Sequence, residues 1–161
     1  NNKYLIFNNY KVKCALGKRG IGRKKKEGDL ITPLGQYKIK FILYRKDRLQ
    51  KIQTKIKKVI IKKNMGWCDD PQSKKYNQLI RLPFKSSHEK LFIKENFYDI
   101  IVVLDFNMKP IKKKKGRAIF IHIARKNFKK TEGCIAISKR NLLKVIRDLS
   151  ISTKVKIANQ K

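Results

Sequence analysis

The feature that most constrains this chain is the recurrence of short, β-branched apolar runs, each closed by turn chemistry. Tyr4–Phe7, Tyr10–Leu16, Gln36–Tyr44, Lys57–Ile61, Gln78–Leu82, Tyr98–Phe106, Ala118–Ala124, Cys134–Ile137 and Lys154–Ala158 all have the length and residue types of strands. Gly17 and Gly20, Thr32-Pro33-Leu34-Gly35, Asp70-Pro71 and Asn107-Met108-Lys109-Pro110 separate them. A helical period is plainest from Lys139 to about Leu149, where Leu142, Leu143, Ile146 and Leu149 share a face behind Ser138, a side chain suited to capping free N–H groups. A weaker helical pattern covers His88 to Glu95. Many short strands with one or two helices predict a mainly β, sandwich-like domain.

At 161 residues, one domain spanning 1–161 is expected, and one site with it. No apolar run approaches the length of a membrane span. The formal net charge is +32, from 43 Lys+Arg against 11 Asp+Glu. A charge of that size draws a protein to any polyanion. Here the excess is spread along the whole chain and is mostly Lys, accompanied by many Ile and Asn. That distribution fits a solvated surface better than a specific nucleic-acid site, and Lys112–Lys115 reads as an exposed loop. The sequence begins Asn1-Asn2-Lys3-Tyr4, without an initiating Met or a charged-then-apolar leader, as expected where an export signal is removed or never present.

Cys14, Cys68 and Cys134 leave at least one free thiol in a monomer and imply no disulfide framework. None of them forms the short two-to-four-residue ligand pair of a zinc site, so neither a metal nor another cofactor is expected. Cys134 is the chemically interesting one. The run Ile119-Phe120-Ile121-His122-Ile123-Ala124 is an apolar strand holding one imidazole, and Thr131-Glu132-Gly133-Cys134-Ile135-Ala136-Ile137 puts a thiol at the mouth of the next strand. Neighbouring strands joined by a short loop bring His122 and Cys134 side by side. A thiol ordinarily ionises near pH 8.5, and a nearby imidazolium lowers that value. Gly133 lets a substrate carbonyl approach the backbone, where N–H groups near Cys134 stabilise a developing oxyanion. Cys68 adjoins Asp69 and Asp70, which disfavour a thiolate, and Cys14 has no His nearby in sequence. His88, on a polar stretch, is expected to be neither catalyst nor ligand.

These segments resemble the His strand and Ser/Thr-x-Gly-Cys motif of the L,D-transpeptidases, the YkuD-type catalytic domain. Glu27-Gly28-Asp29-Leu30-Ile31-Thr32-Pro33-Leu34-Gly35-Gln36-Tyr37, Gly66-Trp67-Cys68-Asp69-Asp70-Pro71 with Tyr76-Asn77, and Tyr98-Asp99 leading into Val102-Val103-Leu104 resemble a short, stand-alone bacterial branch, in the same order. The resemblance implies a mixed β-sandwich and a defined chemistry. A thiolate attacks the third-residue carbonyl of a peptidoglycan stem tetrapeptide, expels D-alanine and passes the acyl group to an amine of another stem. Cys134 matches the nucleophile, His122 the general base and Gly133 the glycine beside the oxyanion site. A monomer of the periplasm or cell envelope, acting in cell-wall biogenesis, is implied with them.

Two departures bear on substrate binding. Many members carry His before the Gly and Arg two places after the Cys, where this chain has Glu132 and Ala136, and the loop from His122 to Thr131 is shorter than in many members. Substrate contacts are therefore sought at Arg125, Trp67, Tyr76, Asn77 and Thr131, although Trp67, Tyr76 and Asn77 equally suit bracing a long loop. Two other functions stay open at this stage: a carboxypeptidase or amidase using water as acceptor, and a basic β-domain that binds a polyanion without catalysis.

Overall fold

A computed structural model describes residues 3–7 and 10–159. In chain order the elements are β1 (Lys3–Phe7), β2 (Tyr10–Ala15), β3 (Ile21–Gly22), β4 (Thr32–Pro33), β5 (Gly35–Tyr44), β6 (Lys58–Ile60), β7 (Met65–Cys68), β8 (Leu79–Arg81), β9 (His88–Lys90), β10 (Ile100–Leu104) and β11 (Phe120–Ile123). A 3₁₀ turn at Lys126–Phe128, then β12 (Ile135–Ile137), α1 (Lys139–Asp148) and β13 (Lys154–Ile157) complete the chain. All nine expected strands are present, most trimmed by a residue or two at their ends. The one persuasive helix is also there: Ser138 Oγ accepts from the Asn141 N–H at 3.3 Å, and Leu142, Val145 and Ile146 are buried.

The main sheet runs β1-β2-β12-β11-β10-β5-β13, with β6 also on β5. β5 is long enough to pair with β10 on one side and, on the other, with β13 along its first half and β6 along its second. Its neighbour β10, Ile-Ile-Val-Val-Leu, is fully buried on both faces, as a central strand of β-branched residues should be. Period-two alternation then sorts the two cores. Ile100, Val102 and Leu104 join Ile42, Ile121, Ile135 and the apolar stripe of α1 on one face. Ile101 and Val103 join Leu43, Phe120, Trp67 and Leu91 on the other. Burying each such side chain contributes about 1.5–3 kcal/mol, which is what clamps helix and strands to the sheet.

Two sequence expectations need correction. The stretch from His88 to Glu95 is not helical: His88–Lys90 is strand β9, pairing antiparallel with β7 so that Gly66 faces Lys90 and Cys68 faces His88. Pairing of β7 with both β8 and β9 outweighs a weak local helical preference, as tertiary pairing commonly does. The same sheet converts Gly66-Trp67-Cys68, which reads as loop, into strand.

Candidate active site

β11 and β12 are adjacent and parallel, with Ile121 opposite Ile135 and His122 opposite Ala136. Partners across a parallel pair point to the same face. Cys134, one step before β12, therefore falls level with Phe120, and the Phe120 N–H donates to Cys134 Sγ at 3.4 Å. Cys134 and His122 both line one cleft, together with Tyr98, Arg117, Arg125 and Glu89. The intervening isoleucines 119, 121, 123, 135 and 137 turn the other way, into the core under α1.

His122 is 6% exposed. Its Nδ1 lies 2.9 Å from the Ile123 carbonyl; a carbonyl only accepts, so Nδ1 carries the proton and Nε2 keeps a lone pair. Tyr98 meets the ring edge-on at 5.5 Å and Phe97 flanks it at 5.9 Å. Burial pulls the His122 pKa from 6.5 to about 4, with the charge of Arg125 pushing the same way. Burial pushes the Cys134 thiol up to about 11, and Glu89 adds to that, while the Phe120 N–H, Arg117 and Lys24 pull it down. The pair therefore rests as thiol and neutral imidazole at neutral pH. Desolvation of the ring thus opposes the imidazolium that the sequence leads one to expect beside the thiol.

The turn before Cys134 is fastened from two sides. Thr131 Oγ1 donates to the Cys134 carbonyl at 2.5 Å and accepts from the Gly133 N–H at 3.2 Å. Thr131 also bonds through its backbone to Leu16 and Lys18, both at 2.9 Å, tying the turn to the end of β2. Gly133 has φ +140°, and a Cβ on it would stand 2.9 Å from the Ile31 carbonyl oxygen. Only glycine meets both conditions. The upstream segment is thus a buttress: Thr32 Oγ1 accepts from the Gly17 N–H at 2.9 Å, and buried Asp29 is held by Lys24 at 2.6 Å.

Residues 2–157 match the family model YkuD, the L,D-transpeptidase catalytic domain. The chain belongs to that family. No curated protein and no solved structure matches it. Among the described residues no helix is long and apolar enough to cross a membrane. The L,D-transpeptidases act on peptidoglycan peptides, and the mainly β framework with one helix is that of their catalytic domain.

Within this L,D-transpeptidase domain, three residues nominated as substrate contacts are displaced from that role. Trp67, Tyr76 and Asn77 are each 2% exposed and do not line the cleft. Asn77 Oδ1 accepts from Trp67 Nε1 at 3.1 Å and from the Ala118 N–H at 2.5 Å, while its Nδ2 donates to the carbonyls of Phe106 and Asn107. Tyr76 OH donates to Glu27 at 2.6 Å. These side chains brace the approach to β11 because their polar atoms are spent inside the protein. Thr131 lines the cleft, but its hydroxyl is engaged by the Gly133-Cys134 turn. Arg125 is exposed on the rim, its guanidinium 4.2 Å above the Phe97 ring, beside Lys18, Lys129 and Lys130.

Sequence reading overlooked Arg117. It sits in the cleft with Asp69 at 2.5 Å, Glu89 at 3.7 Å, and Glu27 and Glu132 each at 3.9 Å. No local spacing relates positions 27, 69, 89 and 132, so only the tertiary fold gathers them.

Proposed function

We propose that this protein is a peptidoglycan L,D-transpeptidase that works by general-base catalysis from a neutral resting pair. The observation that carries the reading is His122, its tautomer fixed by the Ile123 carbonyl, sharing one cleft and one sheet face with Cys134. As Sγ attacks the third-residue carbonyl of a stem tetrapeptide, Nε2 takes the thiol proton. The oxyanion is received by backbone N–H at Cys134, since the Gly133 N–H is bound to Thr131. Collapse breaks the amide, and Nε2 returns the proton to the departing amine of D-alanine, leaving an S-acyl enzyme. An amine of a second stem then attacks the thioester, gives its proton to Nε2 and expels the thiol, which is reprotonated.

Arg125 with Lys129 and Lys130 forms a cationic rim beside His122. This rim serves the carboxylates of the stem in place of the Arg that the motif lacks at Ala136. The setting is the cell envelope, where the substrate lies.

Incubation with purified tetrapeptide-rich muropeptides, read by mass, tests this. Cross-linked dimers with loss of D-alanine are expected from wild type and nothing from Cys134→Ser. Tripeptides alone would assign water as the acceptor, and product from Cys134→Ser would remove the proposed nucleophile.

A further inference from the structure

The chain holds only 11 carboxylates among 43 basic side chains, yet four of them surround a single guanidinium in the cleft. Glu27, Glu89 and Glu132 line the cleft with Cys134. Two of the four are further anchored, Glu89 by the Tyr98 hydroxyl at 2.5 Å and Glu27 by Tyr76 at 2.6 Å. Asp69 gives Oδ2 to Arg117, and its Oδ1 is buried without a hydrogen-bond partner. Such a group of anions opposes the formation of another anion beside it.

Something must offset that field when Cys134 loses its proton, and the other cations are placed less well. His122 is desolvated and neutral above about pH 4. Lys24 is buried against Asp29, both side chains 4% exposed. Lys18, Lys129 and Lys130 stand on the rim, and Arg125 lies over Phe97. Arg117, its side chain 26% exposed, lies three residues before the first residue of the strand that carries His122.

We propose that Arg117 is the charge-balancing residue of the reaction centre: it neutralises the carboxylates facing Cys134, so that a neutral His122 suffices to remove the thiol proton. Labour is then divided, with His122 as the base and Arg117 as the cation, where a simpler cysteine site uses one imidazolium for both. The opposing pulls on the thiol, upward from Glu89 and downward from Arg117, agree in sign with this arrangement. The inference rests on the reading of Cys134 as nucleophile.

The test is the rate of iodoacetamide labelling at Cys134, followed by peptide mass at pH 9. That pH is below the thiol midpoint of about 11, so the rate tracks the thiolate fraction. Arg117→Gln should label about tenfold more slowly, equivalent to about one pH unit. Arg117→Lys, which keeps the charge, should stay within about threefold of wild type, and Glu89→Gln should label severalfold faster. His122→Gln should leave the labelling rate nearly unchanged while abolishing muropeptide turnover. Equal rates for wild type and folded Arg117→Gln overturn the proposal, and should that variant not fold, an unchanged rate in Glu89→Gln does so. Product formed by Cys134→Ser would instead refute the nucleophile itself, a separate outcome.

Discussion

An imidazole set in the middle of an apolar strand is constrained twice, by the carbonyl that fixes its tautomer and by the desolvation that keeps it uncharged. The second constraint has a cost in acid. The folded pKa of His122, about 4, is below the unfolded value of 6.5, so the unfolded chain binds the proton first. The stabilisation is complete above about pH 6.5, declines as pH falls through the window, and is lost near pH 4. The window is worth about 3 kcal/mol. Urea unfolding of wild type and His122→Gln at pH 7 and pH 4 should show wild type losing about that much more stability than the variant; parallel losses would contradict the buried neutral ring. That Cys134 and His122 share one cleft was legible in the sequence because a lone imidazole and a Gly-Cys pair interrupt otherwise apolar strands. Trp67, Tyr76 and Asn77 misled for the converse reason. An aromatic or amide in a gapped segment has the same composition whether it faces a ligand or another side chain, and only the finished hydrogen bonds distinguish the two.

At the level of elements, apolar runs such as Ile-Ile-Val-Val-Leu of β10 announce themselves, whereas β7 and β9, Met-Gly-Trp-Cys and His-Glu-Lys, have no such run. Their existence depends on pairing between distant segments, and so does their function as the wall behind β11. Asn77 is the fastening of that wall. It sits at φ +58°, which Asn tolerates better than most residues, and all its side-chain bonding capacity is used. Asn77→Ala removes the acceptor shared by the Trp67 and Ala118 N–H groups, each costing about 1–3 kcal/mol when left buried and unpaired. A loss of about 3 kcal/mol or more in denaturant unfolding is expected. Muropeptide turnover below the transition should persist; a variant with wild-type stability but no activity would return Asn77 to the substrate.

For the molecule as a whole, most of the scarce negative charge is held in ion pairs. Asp29, Asp47, Asp99 and Asp148 pair with Lys24, Arg45, Arg48 and Arg147, and four more carboxylates attend Arg117. The remaining surface is a field of like charges whose mutual repulsion favours the expanded chain. Raising NaCl from about 10 mM to about 0.2 M shortens the Debye length from about 30 Å to below about 8 Å, and the thermal midpoint should rise by several degrees. A fall would mean that surface ion pairs outweigh repulsion. The charge total was plain in the sequence; the gathering of four carboxylates about the single guanidinium of Arg117 was not, because composition carries no coordinates. β12 lies between β11 and β2, with Ala136 level with Ala15 and Thr131 bridged to Gly17, so the strand after Cys134 is walled by segments far apart in sequence. Such sequence-distant contacts form late and slowly. During synthesis, a chain that has already made β2, β10 and β11 still has neither its thiol nor the strand that closes the sheet. Any product that stops short of Cys134 therefore lacks both its thiol and β12, the strand that joins β2 to β11.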